Sequence, residues 1–367
     1  DVPCAAAGTY TRNVVKADPV ILTKEYLADH KAQGIILDSG NANACCPMSH
    51  ENAQAMCLAA AQATGRAPED FAVASTGVIG QTINITAIQA GMPALAAKLG
   101  PEGSEDAARA IMTTDTVKKE LAFSLTLGGK EVTLGAIAKG SGMIHPNMGT
   151  MLCAVTTDCA IDGAVLQDML RHIVTKTFNR ITVDGDTSTN DTLIIMASGL
   201  AGNPEITEEN ADYDAFVAAL TAIAEHMCAE HAGDGEGATH LITCEVTHAP
   251  DLKTARAVSR SVVCSNLFKA AVFGRDANWG RILCAIGYTP GDFSIDKVCV
   301  WLSSKAGEVY VCENAAYHPY SEDEAAKVLA EHDILVKVDM GTGDASAKAW
   351  GCDLTYDYVK INGDYRT

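Results

Sequence analysis

Short apolar runs alternate with segments of helical periodicity along almost the whole chain. Apolar runs bounded by turn residues predict buried strands, whereas apolar residues three and four positions apart predict amphipathic helices. We predict strands in GIILDSG, DFAVASTG, MLCAVTTDCA, DTLIIMASG, ATHLITCEVT and LTYDYVKING. We predict helices in SHENAQAMCLAAAQATG, DGAVLQDMLRHIVTKTF, YDAFVAALTAIAEHMCAEHAG, TARAVSRSVVCSNLFKAAVFG and NWGRILCAIG. This alternation is typical of a fold that mixes α and β elements.

Two further segments have the pattern of β-hairpins. The segment AFSLTLGGKEVTLGAIAKG carries Gly128 and Gly129 between two alternating runs. Paired glycines supply the positive φ angles of a tight hairpin turn. The segment DKVCVWLSSKAGEVYVCENA predicts a second hairpin. Because hairpins pair antiparallel strands, we do not expect purely parallel sheets.

Composition predicts a buried core, and net charge excludes some kinds of binding partner. The chain has 367 residues, of which 48% are hydrophobic, so a substantial buried core is expected. Its 27 basic and 46 acidic residues give a net charge of −19, which argues against nucleic acid and anionic membranes as partners. No segment approaches the ~20 uncharged apolar residues of a membrane helix. We expect a soluble cytoplasmic protein, open to small cationic substrates, from which a leading segment before Asp1 is absent.

The cysteines argue against a disulfide framework and against a metal centre. There are 13 of them, an odd number, and many lie inside apolar runs. This distribution is typical of reduced core thiols. The Cys45-Cys46 pair and the segment HMCAEH lack a second ligand cluster at zinc spacing. We therefore expect no bound metal and no cofactor.

Four polar loops are richer in side-chain chemistry than turning the chain requires. Each one alone is explained by a hydrogen-bonded turn, but so many dense polar loops are expected to converge on a site. They are Leu37–Pro47, Ala74–Gly80, Phe178–Thr192 and Phe273–Ile282.

The stretch AKGSGMIHPNMGTMLCAV places a long polar loop directly before an apolar run. Thr150 would stand at the first position of the predicted strand. If the bond between Gly149 and Thr150 were cut, the freed α-amine, with a pKa of about 7.7–8.0, would act as a base for the threonine hydroxyl. Gly149 lacks a Cβ and suits the backbone geometry that such a cleavage needs. The residues alone leave two interpretations open, an N-terminal nucleophile and an ordinary β-branched residue.

Motifs in a fixed order along the chain resemble the ornithine acetyltransferase family of arginine biosynthesis. They are DSGNANAC, ASTGVIG, IMTTDT, KGSGMIHPNMGTML, FNRITVDGDTSTNDT, GEGATH, FGRDANWGRIL and WGCDLTYDYVKINGDYRT, and the similarity covers essentially the whole chain. The resemblance implies a layered α-β-β-α sandwich of the N-terminal-nucleophile-like kind. It also implies self-cleavage into an α chain, residues 1–149, and a β chain, residues 150–367, which assemble as an α2β2 heterotetramer.

The resemblance implies a reaction as well. Acetyl would pass from N2-acetylornithine to glutamate, giving ornithine and N-acetylglutamate, and some members of the family also use acetyl-CoA as a donor. The residue roles that it implies are Thr150 as nucleophile, the Gly149-Thr150 bond as cleavage site, Thr76 and Gly77 as oxyanion hole, and Thr116, Lys139, Thr150, Glu236, Asn362 and Thr367 as substrate-binding residues. In this role Lys139 would hold the substrate carboxylate and Glu236 the ornithine side-chain ammonium.

This chain departs from the family pattern in a few places, and two alternatives stay open. Gly149 replaces the usual alanine before the scissile bond, and Cys46-Pro47 replaces the usual Thr-Gly. One alternative is a self-cleaving aminopeptidase of related fold, which would release the acyl group to water. The other is a protein without enzymatic activity that uses the same loops to bind an amino acid.

Overall fold

The computed structural model describes residues 2–145 and 151–364. Within these residues the chain forms fourteen strands and eleven α-helices. The strands are β1 (Cys4–Tyr10), β2 (Lys31–Ala32), β3 (Gly34–Asn41), β4 (Phe71–Val78), β5 (Lys119–Leu127), β6 (Lys130–Lys139), β7 (Leu152–Thr157), β8 (Thr192–Ala197), β9 (Leu241–Ala249), β10 (Cys299–Ser304), β11 (Gly307–Glu313), β12 (Ala316–Tyr317), β13 (Asp333–Asp339) and β14 (Ala345–Cys352). The helices are α1 (Asp18–Tyr26), α2 (Ser49–Thr64), α3 (Ile85–Ala96), α4 (Ser104–Ala110), α5 (Gly163–Lys176), α6 (Ala211–Gly233), α7 (Leu252–Cys264), α8 (Asn266–Phe273), α9 (Trp279–Gly287), α10 (Glu322–Val328) and α11 (Tyr356–Asp364).

Two six-stranded sheets organise the molecule. The first sheet has the strand order β2-β1-β8-β7-β6-β5, in which only β7 and β8 pair in parallel. The second has the order β12-β11-β10-β13-β9-β14, in which only β9 and β13 pair in parallel. Strands β3 and β4 form a separate parallel pair. The predicted mixture of α and β elements, with sheets that are not purely parallel, is confirmed.

The centre of the first sheet is buried on both faces. Leu193 and Ile195 of β8 pack into the cluster that contains the apolar side chains of α5 and α6. Ile194 and Met196, which point to the opposite face, pack with Ala72 of β4. Because neither face of β8 meets solvent, the side chains on both faces are apolar. The strand therefore appears in the sequence as a continuous apolar run.

Local turn chemistry accounts for the hairpin between β5 and β6. Gly128 and Gly129 have φ angles of 53° and 76°, a region that glycine enters without a steric cost. Strands β5 and β6 pair antiparallel from Lys119↔Ala138 to Leu127↔Lys130. The second predicted hairpin, β10–β11, is also present.

Both predicted chains contribute to the first sheet. Their boundary, between Gly149 and Thr150, lies outside the described residues. On either side of it β6 pairs with β7, and β1 from the first half pairs with β8 from the second. The two halves are therefore interleaved within one sheet, with a shared core.

Two predicted elements are wrong. The segment LTYDYVKING, predicted as a strand, forms helix α11, where the Thr355 hydroxyl accepts the Tyr358 N–H at 3.3 Å and caps the first turn. The segment TARAVSRSVVCSNLFKAAVFG, predicted as one helix, is divided into α7 and α8 by Ser265, whose hydroxyl accepts the Phe268 N–H. In both segments a side-chain cap decides a boundary that hydrophobic periodicity does not mark.

All thirteen cysteines are free thiols, as their scattered positions predict. Burial raises the pKa of Cys153 to about 12, which keeps this core thiol protonated. No helix among the described residues is long and apolar enough to span a bilayer.

Candidate active site

The candidate site surrounds the start of β7. Leu152, the first residue of this strand, pairs with Lys139 of β6 on one side and with Thr192 of β8 on the other. The carbonyl of Met151 accepts the Thr192 N–H at 2.9 Å. Neighbouring strands lie about 4.8 Å apart, so Lys139 and Thr192 flank the segment that leads into β7. Gly149 and Thr150 themselves lie outside the described residues.

Lys139 projects from the end of β6 into a buried polar environment. Only 6% of the residue is exposed. Its ammonium group donates to Thr113 Oγ1 at 2.8 Å and lies 3.6 Å from Asp115 Oδ2. Burial lowers the pKa of Lys139, and the Asp115 carboxylate opposes that shift. In a site of such low dielectric constant, the ammonium form of Lys139 attracts a carboxylate strongly.

A second buried lysine fixes the carboxylate next to Lys139. Lys119 Nζ, which has no exposed surface, lies 2.8 Å from Asp115 Oδ1 and 2.6 Å from Asp234 Oδ2. Asp115 also accepts the Gly140 N–H at 2.7 Å. Burial alone would raise the pKa of Asp115, but the ammonium groups of Lys139 and Lys119 hold it well below its usual range. We call Lys119, Asp115 and Asp234 the buried ion-pair network.

Thr116 is attached to the same network. Its N–H lies 3.1 and 3.2 Å from the two carboxylate oxygens of Asp234, and its hydroxyl donates to Asp234 as well. Thr116 is exposed on an open cavity of about 990 Å³. Charged residues of the cavity wall are mostly acidic, with Lys360 and His332 beside Glu230, Asp234, Asp333, Asp357 and Asp364. This acidic cleft favours cationic ligands.

Glu236 and Asn362 are in direct contact. Asn362 Nδ2 donates to Glu236 Oε2 at 2.8 Å. The Glu236 N–H donates to the Ser141 carbonyl at 2.8 Å, and its carboxyl group fills the space where a Cβ on Gly142 would lie. The structure therefore brings Glu236 and Asn362 against the loop that follows Lys139. Thr367, predicted to bind substrate with them, lies outside the described residues.

Thr76 and Gly77 lie at the end of β4, in the separate pair of strands β3 and β4. Gly77 has a φ of 128°, and a Cβ there would stand 2.2 Å from the carbonyl carbon of Gly40. Asn190, just before β8, donates to the carbonyls of Ser75 at 2.8 Å and Ala42 at 2.6 Å. Asn190 therefore ties the strand of the predicted oxyanion hole to the strand that pairs with β7.

Three of the four polar loops converge, as predicted. The bonds of Asn190 join the loops Leu37–Pro47, Ala74–Gly80 and Phe178–Thr192. The fourth predicted loop, Phe273–Ile282, covers the turn from α8 to α9 and the first residues of α9, and Phe273 contacts the ring of Tyr356 in α11.

Hydrogen bonds also hold the segment from Met143 to His145, the last described residues before the Gly149-Thr150 bond. Asp184 accepts the N–H groups of Met143 and Ile144 at 2.6 and 2.9 Å. His145 Nδ1 lies 3.1 Å from Thr182 Oγ1. Burial, with help from nearby cations, lowers the pKa of His145 to about 4, so its imidazole is neutral at physiological pH. His145 therefore contributes a hydrogen-bonding partner, and no charge, to this loop.

Sequence reasoning missed the buried ion-pair network. In the sequence, Asp115 stands out only as part of the motif IMTTDT, and Lys119 and Asp234 belong to none of the motifs. A lysine at the start of an alternating strand normally reaches solvent. The available signal was the spacing of Asp115 and Lys119, four residues apart beside a motif of the site.

Comparisons with known proteins agree with this architecture. The sequence model of the ArgJ family matches residues 1–367. The arginine biosynthesis bifunctional protein ArgJ of Symbiobacterium thermophilum is 52% identical over 371 residues, covering 100% of this chain and 90% of that protein. The protein of the same name from Caldanaerobacter subterraneus subsp. tengcongensis is 47% identical over 362 residues, covering 98% and 90%.

A solved structure is similar as well. The crystal structure of arginine biosynthesis bifunctional protein argJ from Bacillus halodurans superposes with a TM-score of 0.54 at 44% identity, covering 57% of this chain and 97% of that one. These similarities confirm the fold class and the acyltransferase of arginine biosynthesis that the motifs predicted. With a family match over its full length and close relatives over nearly all of theirs, this chain belongs to the ArgJ family.

Proposed function

We propose that the chain cleaves itself between Gly149 and Thr150 and then transfers acetyl from N2-acetylornithine to glutamate through an acetyl-Thr150 intermediate. The observation that carries this proposal is the register of β6 and β7. It sets Lys139, a buried cation suited to a carboxylate, opposite Leu152, the second residue after Thr150. A small amino acid bound at Lys139 is thereby close to the segment that carries the nucleophile.

Self-cleavage would proceed by an N-to-O acyl shift. Thr150 Oγ attacks the carbonyl carbon of Gly149, the C–N bond breaks, and the peptide nitrogen takes up a proton to become the free α-amine. Water then hydrolyses the Gly149 ester, which leaves a carboxylate on Gly149 and returns the hydroxyl to Thr150. The new α-amine, with an ordinary pKa of about 7.7–8.0, is a suitable base at neutral pH.

Acetyl transfer would use two successive acyl exchanges. The α-amine of Thr150 takes the hydroxyl proton while Oγ attacks the acetyl carbonyl of acetylornithine. Thr76, through its hydroxyl, and Gly77, through its N–H, stabilise the negative charge on the carbonyl oxygen. Ornithine leaves as its amine takes the proton. The amine of glutamate then attacks the acetyl ester and gives a proton to the α-amine of Thr150. The ester C–O bond breaks, Thr150 Oγ takes that proton, and N-acetylglutamate leaves. A covalent intermediate shared by two amine substrates gives ping-pong kinetics.

Charge complementarity supports the roles of the binding residues. Lys139 would hold the α-carboxylate that both amino-acid substrates share. Glu236, oriented by Asn362 at 2.8 Å, would hold the side-chain ammonium of ornithine. Thr116 opens on the acidic cleft, which would attract the cationic substrate towards the site, and Thr367 would help to close it.

The assembly and the cellular setting complete the proposal. We infer that the α and β chains form an α2β2 heterotetramer in the cytoplasm, that acetyl-CoA serves as a second acetyl donor, and that no metal or other cofactor takes part. An aminopeptidase of related fold would also cut itself, but it would release its acyl group to water. The pairing of a carboxylate-binding lysine with an ammonium-binding glutamate favours amino-acid substrates on both sides of the transfer.

Mass spectrometry and an acetyl-transfer assay on one set of variants test the proposal. Wild type should give fragments of residues 1–149 and 150–367 and should transfer acetyl from acetylornithine to glutamate. Thr150→Ala should remain uncut and inactive, whereas Thr156→Ala, the same change at an exposed position of β7, should behave as wild type. A cut or active Thr150→Ala protein would overturn the mechanism. Acetyl release to water without transfer to glutamate would favour the aminopeptidase.

A further inference from the structure

A second large cavity lies along the edge of the first sheet, beside β1. It has a volume of about 770 Å³ and lies between residues of β1, α1 and α5. Strand β2 pairs only with Cys4 and Ala5, so it does not cover the rest of this edge. Gln167 of α5 covers part of it, because its side chain accepts the Gly8 N–H and donates to the Gly8 carbonyl, both at 3.1 Å.

Basic residues line this cavity, and no aspartate or glutamate belongs to the described part of its wall. The basic residues are Arg12, Lys16, Lys24, His30 and Arg171. No ion pair within residues 2–145 and 151–364 involves the first three of these side chains. A wall of one sign is unexpected in a chain with a net charge of −19, and it contrasts with the acidic cleft beside Thr116. Such a wall concentrates anions. We call it the basic cavity.

Two polar atoms of the basic cavity's wall residues lack partners. Thr9, which is 2% exposed, has no hydrogen-bond partner for its hydroxyl oxygen within the described part of the chain. The same holds for His30 Nδ1. Buried polar atoms are nearly always hydrogen-bonded, so unsatisfied ones beside a charged cavity indicate that something polar completes them.

The register of the first sheet places one end of the basic cavity level with the start of β7. Tyr10, a residue of the cavity wall, pairs with Thr192 of β8, and Thr192 pairs with Leu152 at the start of β7. Two strand spacings of about 4.8 Å therefore separate Tyr10 from the start of β7, a distance of roughly 10 Å. A ligand held in the cavity by its anionic end could extend a flexible arm to the nucleophile.

We propose that the basic cavity binds the phosphate groups of an organic phosphate, specifically the 3′,5′-ADP portion of coenzyme A, and so positions acetyl-CoA as an acetyl donor. The inference rests on the proposed function, which includes acetyl-CoA as a second donor. Lysine and arginine form charge-assisted hydrogen bonds with phosphate oxygens, and a cavity of this volume accommodates a nucleotide. The acetylornithine reaction does not need this cavity.

Two matched double substitutions of lysine distinguish binding in the basic cavity from a general effect of the protein's net charge. Lys16→Gln/Lys24→Gln removes two exposed cations of the basic cavity, and Lys98→Gln/Lys130→Gln removes two exposed cations elsewhere. Binding of 3′,5′-ADP and of inorganic phosphate is measured by calorimetry on each full chain. Wild type and the Lys98/Lys130 variant should bind 3′,5′-ADP equally, and the Lys16/Lys24 variant should bind it about tenfold or more weakly. The KM for acetyl-CoA should rise in the same variant, with the KM for acetylornithine unchanged.

The possible outcomes distinguish failure of the nucleotide-binding proposal from failure of the proposed function. Absence of 3′,5′-ADP binding by wild type, or equal weakening in both double variants, would overturn the proposal. Inorganic phosphate that binds as tightly as 3′,5′-ADP would also overturn it, because the site would then recognise free phosphate. Transfer from acetylornithine to glutamate, measured on the same preparations, reports the proposed function independently of nucleotide binding.

Discussion

Lys119 Nζ lies 2.6 Å from Asp234 Oδ2, and neither side chain is more than 5% exposed. The pair joins the start of β5 to the residue that follows α6, across 115 positions of sequence. Lys119 belongs to the predicted α chain and Asp234 to the predicted β chain. The same carboxylate binds Thr116, and the same lysine binds Asp115 beside Lys139. One buried ion pair therefore connects both halves of the protein with two of its candidate substrate-binding residues.

Removal of Lys119 should be strongly destabilising. Lys119→Met leaves Asp234 as a buried carboxylate without its cation, and breaking a buried ion pair in this way costs about 3–5 kcal/mol. The free energy of unfolding, measured by urea denaturation, should fall by that order. The double variant Lys119→Met/Asp234→Asn should recover part of the loss, because it removes the unpaired charge.

An exposed ion pair provides the control. Lys337→Met makes the same change in the pair with Glu308, where both side chains are about 40% exposed to solvent. Exposed pairs contribute little because solvent screens them, so this variant should lose only a small fraction of the stability lost by Lys119→Met. Equal losses of unfolding free energy in the two variants would show that the buried ion-pair network stabilises the fold no more than an exposed ion pair does.

His231 should make the fold sensitive to mild acid. It is fully buried in α6, and burial, with Lys119 nearby, lowers its pKa to about 4. The unfolded chain binds a proton on this residue at about pH 6.5, whereas the folded chain does not. The contribution of His231 to the free energy of unfolding is therefore fully present above pH 6.5 and is lost as the pH drops towards 4. For this one residue the limiting slope is about 1.4 kcal/mol per pH unit.

Two substitutions in one helix test the contribution of His231. His231→Gln should flatten the fall in unfolding free energy between pH 6.5 and pH 4, even though its stability at pH 7 is lower. His226→Gln, an exposed position of the same helix, should keep the wild-type slope. His145, which also has a pKa of about 4, should leave a residual slope in His231→Gln. An unchanged slope in His231→Gln would contradict the assignment.

Sequence reasoning succeeded where the determinants are local. Gly128 and Gly129 fix the hairpin turn by themselves, and the continuous apolar run of β8 follows from burial on both faces. It failed at α11, where Val359 is 68% exposed, because an alternating pattern is ambiguous on a short surface helix capped by Thr355. The ion-pair network could not be predicted, since its members meet only through tertiary folding.

Gly77 should be required for its close approach to Gly40, and not only for its backbone angle. A Cβ on Gly77 would lie 2.2 Å from the Gly40 carbonyl carbon, so Gly77→Ala must push β3 and β4 apart next to Thr76. Gly80 also has a positive φ, 82°, but nothing lies within 4 Å of the position of its Cβ. Gly80→Ala therefore isolates the backbone cost of about 1–2 kcal/mol.

The two alanine variants should differ in stability and in activity. Gly77→Ala should lower the free energy of unfolding by more than Gly80→Ala. Displacement of the proposed oxyanion-hole donor should also reduce kcat by ~10²–10³, with a smaller effect on KM. Urea denaturation and steady-state acetyl transfer measure both quantities. If Gly77→Ala were as active and as stable as Gly80→Ala, the close packing of β3 and β4 would have no role in the site.

The two chains that the proposed cleavage would produce should remain one folded body. Strands β6 and β7, on opposite sides of the junction, pair through six residues, and β1 pairs with β8 through six more. Both pairings lie inside a core that α5 and α6 cover, and the Lys119–Asp234 ion pair crosses between the same halves. Separation of the fragments would expose this core to water, so it should cost about as much as global unfolding.

Size-exclusion chromatography should therefore show one species, although denaturing electrophoresis of the same sample should show the two chains of the proposed cleavage. In urea the fragments should separate only within the global unfolding transition. Uncut Thr150→Ala serves as the control, because it keeps every strand pairing and adds only the covalent link. That link reduces the entropy of the unfolded state, so the uncut protein should unfold at a somewhat higher urea concentration. Fragments that separate without denaturant would contradict the interleaved sheet, since no strand order that pairs β6 with β7 and β1 with β8 lets the halves part while folded.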